Sequence, residues 1–153
     1  EPAQVERLRA MLPVIECECE RLAAGPIPQT LVHGDFHGGN IALVGGRPII
    51  FDWTDACIAH PFFDLATVLD TDNAPDSPEV AERLRDAYLG EWSAYGSPEE
   101  LRAGFDAAYR LAPLHHAVSY AHINAIAEQA TLEDIGTALP YFLGLFLKGF
   151  KGV

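Results

Sequence analysis

Basic side chains are scarce in this chain. Lys and Arg number 10 against 22 Asp and Glu, a formal net charge of −12. A nucleic-acid groove needs clustered Lys and Arg to neutralise phosphates, so that class is excluded. Adhesion to an anionic membrane is disfavoured for the same reason. The only lysines are Lys148 and Lys151. Long apolar runs are also missing. The longest, Ala138 to Leu147, is interrupted by Pro140 and Gly144 and is too short to span a bilayer. No basic segment followed by an apolar one opens the chain, so no signal peptide is expected. Cysteines number only 3. Cys17 and Cys19 are two apart in a helix-like stretch, which points them in different directions. Free thiols in a reducing cytoplasm are expected, rather than a disulfide framework.

What is present suffices for a core. The 153 residues are 49% apolar and 21% charged, which suits one domain or one lobe of something larger. Val5, Leu8, Leu12, Ile15, Cys19 and Leu22 form an apolar stripe at helical spacing. Pro13 is expected to kink or split that helix, and Gly25, Pro26 and Pro28 to end it. Leu31-Val32 is a short apolar run. The runs Asn40 to Val44 and Pro48 to Phe51 flank Gly45-Gly46 and read as a β-hairpin. After Trp53 the pattern turns helical. A short helix is expected over Pro61 to Leu69, then a polar loop holding Asp70, Asp72, Asn73, Pro75 and Asp76. Ser77-Pro78-Glu79, Ser97-Pro98-Glu99-Glu100 and Thr131-Leu132-Glu133-Asp134 are helix starts, the second with a capping box. One of these helices is expected to bend near Pro113. The fold class is α+β, mainly helical, with a small hairpin insert.

Reactive side chains concentrate around that hairpin: His33, Asp35, His37, Asn40, Asp52, Asp55, His60 and Asp64. Three glycines and four polar residues between His33 and Asn40 make a loop. Pairing about Gly45-Gly46 would bring Asn40 close across from Asp52. An amide oxygen and a carboxylate at one strand end are hard oxygen ligands of the kind that suits Mg²⁺ between protein and phosphates. Asp35 could then take a proton from a substrate hydroxyl.

The run His33-Gly34-Asp35-x-x-x-x-Asn40, a hairpin, Ile50-Phe51-Asp52-Trp53 and then Asp64-Leu65-Ala66 resembles the catalytic half of the aminoglycoside phosphotransferase and choline kinase family. That family shares the fold and catalytic logic of protein kinases. The resemblance implies that Asp35 is the catalytic aspartate and that Asn40 and Asp52 hold magnesium. It implies that His33 braces the loop and that Asp64 fixes the loop backbone. It further implies ATP as the phosphoryl donor and a small-molecule hydroxyl as the acceptor, cationic acceptors included. Gly38 stands where the family often has proline. The family's N-terminal lobe, with its phosphate-pairing lysine, has no counterpart in the residues before His33. Residues 1–153 are therefore expected to be a single C-terminal catalytic lobe, with little or no kinase activity alone.

Two other readings compete. His33, Asp35, His37, Asp52 and His60 could be ligands of a metal-dependent hydrolase, although this leaves Asn40 and Asp64-Leu65-Ala66 unexplained. Alternatively the chain is a non-catalytic remnant that binds a partner, or a second copy of itself, through an apolar patch beside the Leu31 strand and the first helix. His37 reads equally as a solvent-facing loop residue or a substrate contact. His115, His116 and His122 read as satisfied core or surface histidines, and Tyr88, Trp92 and Tyr95 as packing residues. The acids from Asp70 to Asp76, with Glu128, Glu133 and Asp134, read as a solvated surface rather than a cationic-acceptor pocket.

Overall fold

The chain opens with helix α1, Pro2–Ala23. A computed structural model describes residues 2–69, 77–126 and 136–150. Helix α1 runs through Pro13 without a break. The expected split does not occur: Pro13 is exposed, so the carbonyl its missing N–H leaves unpaired lies on the water-facing side of the helix. The buried stripe also differs from the expected one. Met11 and Leu22 are the buried residues, with Leu8 and Ile15 packed beside them, whereas Leu12 is 59% exposed. Positions 8, 11, 15 and 22 share one face, and Leu12 falls beside it.

Strand β1 (Thr30–Val32) leads into the loop, a short 3₁₀ turn over Gly38–Asn40 and the hairpin of β2 (Ile41–Val44) and β3 (Arg47–Ile50). The hairpin pairs Ile41 with Ile50 and Val44 with Arg47. Gly45 and Gly46 both take positive φ, +58° and +78°, which a two-residue turn matching strand twist demands. A strand that the sequence reading missed follows: β4, Cys57–Ala59, pairs antiparallel with β1. Three residues are too few to show alternation, and their long-range partner supplies the signal. The result is two separate two-stranded sheets.

Helix α2 (Phe62–Val68) sits at the centre, and α3 (Pro78–Gly90), α4 (Pro98–Ile126) and α5 (Ala138–Gly149) complete the described elements. Helix α4 also passes through its proline, Pro113, unbroken. Phe62 and Phe146 are fully buried and share a core with Leu65, Phe105, Ala108 and Leu111. Phe62 meets Tyr88 and Trp92 edge-on, so these aromatics do pack. Burying one such ring is worth about 2–3 kcal/mol. The Ser97 capping box forms: Glu100 Oε2 accepts from the Ser97 N–H at 2.8 Å, and Ser97 Oγ from the Glu100 N–H at 3.3 Å. Ser77 precedes α3 but donates its hydroxyl to Glu79 instead of capping the backbone. The expected start at Thr131 and the acids Asp70, Asp72, Asp76, Glu128, Glu133 and Asp134 lie outside the described residues.

Candidate active site

Helix α2 anchors the loop. Asp64, in its first turn, accepts from the backbone N–H of His33 at 2.8 Å and of Gly34 at 3.0 Å. Burial pushes the Asp64 pKa up, and these two N–H bonds oppose the rise. Gly34 has φ +84°, and a Cβ there would lie 2.2 Å from the Asp55 carbonyl oxygen. Only glycine permits that approach.

His33 ties the loop to the end of the hairpin. It is 1% exposed, and its Nε2 donates to the Phe51 carbonyl at 2.9 Å. The carbonyl can only accept, so the ring proton is on Nε2. The ring lies against Trp53 and Phe36. Phe51 in turn donates its N–H to the Asn40 carbonyl at 3.1 Å, carrying the β2–β3 ladder one step further. Asn40 directs its amide Nδ2 to the Asp35 carbonyl at 2.9 Å, with Asp35 Oδ2 at 3.4 Å. The amide nitrogen is thereby committed, and Oδ1 is left as the acceptor. Asp52, next to Phe51, has φ +60°, the left-handed region. Asp tolerates this better than most residues, but it is a strained position of the kind that clusters at functional sites. Its Oδ1 accepts from the Thr54 hydroxyl at 2.8 Å.

A single run of hydrogen bonds thus joins Asp64, His33, Phe51, Asn40 and Asp35, with Asp52 one residue beyond Phe51. Asp35 and Asn40 are in direct contact, and Asp52 is linked to them through Phe51. Asp55, one of the reactive side chains named around the hairpin but assigned no role there, joins this group. It is half-buried, and burial, then Asp35, then Asp52, hold its pKa above the ordinary carboxylate range. From α4, Tyr120 faces the same acids: burial, then Asp35 and Asp55, push its pKa up. His116, one turn earlier on α4, eases the Asp55 charge. Both rings stack on Phe142 of α5, at 4.8 Å for His116 and 5.5 Å for Tyr120. No local motif could have flagged Tyr120, His116 or Phe142, because they join the site only through helix packing.

The hydrolase ligand set does not assemble. His33 is committed to Phe51, and the buried His60 accepts from the Phe62 N–H at 3.3 Å. Burial holds His60 neutral, its pKa down at about 4. Among the described residues, no three His, Cys, Asp or Glu side chains converge as metal ligands. The apolar patch expected beside β1 exists: Leu31 and Ile58 face each other across the β1–β4 pair, 58% and 66% exposed. A cavity of about 630 Å³ lies between α1, β4 and α4, lined by Leu22, Ile27, Ile58, Phe63, Leu111 and His115, away from Asp35, Asn40 and Asp52. Among the described residues, no helix is long and apolar enough to cross a membrane.

Comparison with known proteins adds three findings. A profile described as the phosphotransferase enzyme family matches residues 2–103. No curated protein matches the chain. Among solved structures, an ethanolamine kinase of Plasmodium vivax superposes with a TM-score of 0.61 at 18% identity, over 94% of this chain and 42% of that one. At that identity the likeness is one of fold, and the chain spans under half the kinase's length.

Proposed function

The chain belongs to the phosphotransferase enzyme family, and from that premise we propose that it is the C-terminal lobe of a protein-kinase-like enzyme that moves the γ-phosphoryl group of ATP to a small-molecule hydroxyl. In this reading Asp35 orients the acceptor hydroxyl and takes its proton as the new O–P bond forms. Asn40 Oδ1 and the Asp52 carboxylate hold Mg²⁺. The donor chemistry fits: both groups are hard oxygens, and the Asn40 amide is turned so that its oxygen stays available. Magnesium there supplies charge neutralisation for the phosphate oxygens. Asp64 and His33 hold the loop and the hairpin end in register. The observation that carries the reading is the hydrogen-bond run that joins Asp64, His33, Phe51, Asn40 and Asp35 in turn, with Asp52 one residue beyond Phe51.

The acceptor proposed is an amino alcohol. Asp55 offers a half-buried carboxylate already repelled by Asp35 and Asp52, so an ammonium group is the partner that relieves it. The Tyr120 ring, which faces the same acids, adds an aromatic partner for a cation. The structurally similar kinase is named for an amino alcohol. Alone, without the phosphate-pairing lysine of the family's nucleotide lobe, residues 1–153 are proposed to turn over little or nothing.

The test is ADP release by the full-length protein from ATP and Mg²⁺, with ethanolamine, choline and larger amino alcohols as acceptors. Asp35→Ala and Asp52→Ala should each abolish turnover and leave the unfolding midpoint nearly unchanged. Retained turnover in either variant overturns the role given to that residue.

A further inference from the structure

We propose that His37 is a positioning residue that sets the rotation of the Asp35 carboxylate, an inference that rests on Asp35 being the proton acceptor. Three atoms of His37 are engaged. Its carbonyl accepts from the Asn40 N–H at 2.9 Å, and its Nδ1 accepts from the Gly39 N–H at 3.0 Å. A ring nitrogen that accepts carries no proton, so the neutral imidazole holds its hydrogen on Nε2. That Nε2 lies 3.3 Å from Asp35 Oδ2. The Asn40 amide approaches the same oxygen from its own side at 3.4 Å. The amide contact is a long hydrogen bond and the imidazole contact a polar approach at ion-pair distance, so each steers the carboxylate rather than gripping it. With Oδ2 approached by two nitrogens, Oδ1 is the oxygen left to meet the acceptor hydroxyl.

The ring's seat is built for it. A Cβ at Gly39 would stand 2.7 Å from His37 Cε1 and 2.9 Å from Nδ1, so any side chain at position 39 would displace the imidazole. A histidine that merely pointed into solvent would need no such clearance. The ring therefore ties the bend of the loop to the orientation of its acid. A carboxylate turned away by a fraction of its rotation misaligns proton transfer without weakening substrate binding, and such misplacement costs about tenfold to a hundredfold in rate.

Two substitutions separate the two ring contacts. The Asn amide oxygen reproduces Nδ1, so His37→Asn keeps the Gly39 bond and loses the donor to Asp35. The Gln amide nitrogen reaches the Nε2 position, so His37→Gln restores that donor. Turnover of ATP and ethanolamine by the full-length protein in the presence of Mg²⁺ is the readout. His37→Asn should lower kcat about tenfold or more with KM within about threefold, and His37→Gln should recover most of the loss. Gly39→Ala, which retains His37 but displaces its ring, should reproduce the Asn phenotype. Long-range ¹⁵N–¹H correlation spectra should place the His37 proton on Nε2. A proton on Nδ1, wild-type kcat in His37→Asn, or equal losses in Asn and Gln that track the unfolding midpoint would overturn the proposal. Asp35→Asn is the control. If it retains turnover, the reading of Asp35 as proton acceptor fails. If it is inactive while His37→Asn is not, only the role of His37 fails.

Discussion

Removing the Asp64 carboxylate should separate what the loop costs in stability from what it does. In Asp64→Ala the backbone N–H groups of His33 and Gly34 lose the oxygens that accept from them at 2.8 and 3.0 Å. A buried N–H left without a partner costs about 1–3 kcal/mol, so two cost about 2–6 kcal/mol gross. Against this, burial holds the Asp64 pKa up, so the carboxylate is itself an unfavourable charge whose removal returns part of the loss. A net destabilisation of about 2–4 kcal/mol follows, a large share of the roughly 5–15 kcal/mol typical of a domain. Asp64→Asn should differ. It removes the charge and keeps one accepting oxygen, so stability should stay within about 1 kcal/mol of wild type. Turnover should still fall, because the second N–H now faces an amide nitrogen and the loop must shift. The raised pKa carries a pH signature. Stability from this group is greatest below the ordinary carboxylate range and declines as pH rises from about 3.8 through the folded-state value. Urea unfolding at several pH values measures all of this, with the midpoint compared at constant slope. An Ala variant within about 0.5 kcal/mol of wild type would refute the claim that Asp64 anchors the loop.

Three further outcomes are expected. Mg²⁺ at about a hundred times its dissociation constant should stabilise the protein by about 2.7 kcal/mol, read as a thermal shift at matched ionic strength, and Asp52→Ala should abolish the shift; equal shifts in both proteins would remove Asp52 from the metal site. Glu18 takes a hydrogen bond from Arg110 of α4 at 2.8 Å, which with Arg21 lowers its pKa. The stabilisation is present above the ordinary glutamate pKa of 4.5 and lost as pH falls through the folded value, so Glu18→Gln should cost about 0.5 kcal/mol at neutral pH and nothing in acid; a pH-independent cost would show that packing, not charge, joins α1 to α4. Gly34→Ala combines φ +84° with a 2.2 Å approach to the Asp55 carbonyl, and should cost about 3 kcal/mol or more, or leave too little folded protein to purify; near-wild-type expression and melting would contradict the local geometry.

Local chemistry explains what could be read from the sequence. The β2–β3 turn was legible because Gly-Gly between apolar runs has few other uses, and the Ser97 cap because its two partners are three residues apart. The loop from His33 to Asn40 was legible as a loop for the same reason. Strand β4 was not, because its partner Thr30–Val32 lies 27 residues upstream in register. The face of α1 was misjudged by one position, since Leu12 and Met11 fit a helical stripe equally well until the neighbouring helices choose. The place of Asp55 could not be read either. It sits three residues after Asp52, but its burial depends on the close passage of Gly34. Tyr120 and His116 reach the site through the packing of α4 and α5, which no spacing within the loop reports.

The crowding of Asp35, Asp52 and Asp55 runs against stability, and it follows from how the backbone is held. Each of the three is placed by the chain rather than by a counter-charge. Asp35 follows a glycine pressed against Asp55, Asp52 occupies a left-handed backbone position, and Asp55 supplies the carbonyl that glycine approaches. The fixed backbone therefore presents three carboxylates to one another with no Lys or Arg among the causes of the raised Asp55 pKa. Helix α4 adds the His116 imidazole, which eases the Asp55 charge, and the Tyr120 phenol on the facing side. In the proposed reading, the repulsion that raises the Asp55 pKa is relieved when the ammonium group of the acceptor arrives, so it becomes affinity for that group. A neutral substitution at one of these acids should then act in opposite directions on the two states. Asp55→Asn should raise the melting temperature of the empty protein slightly and weaken the response to an amino alcohol. An unchanged or increased response to the amino alcohol would mean that Asp55 carries no share of acceptor recognition.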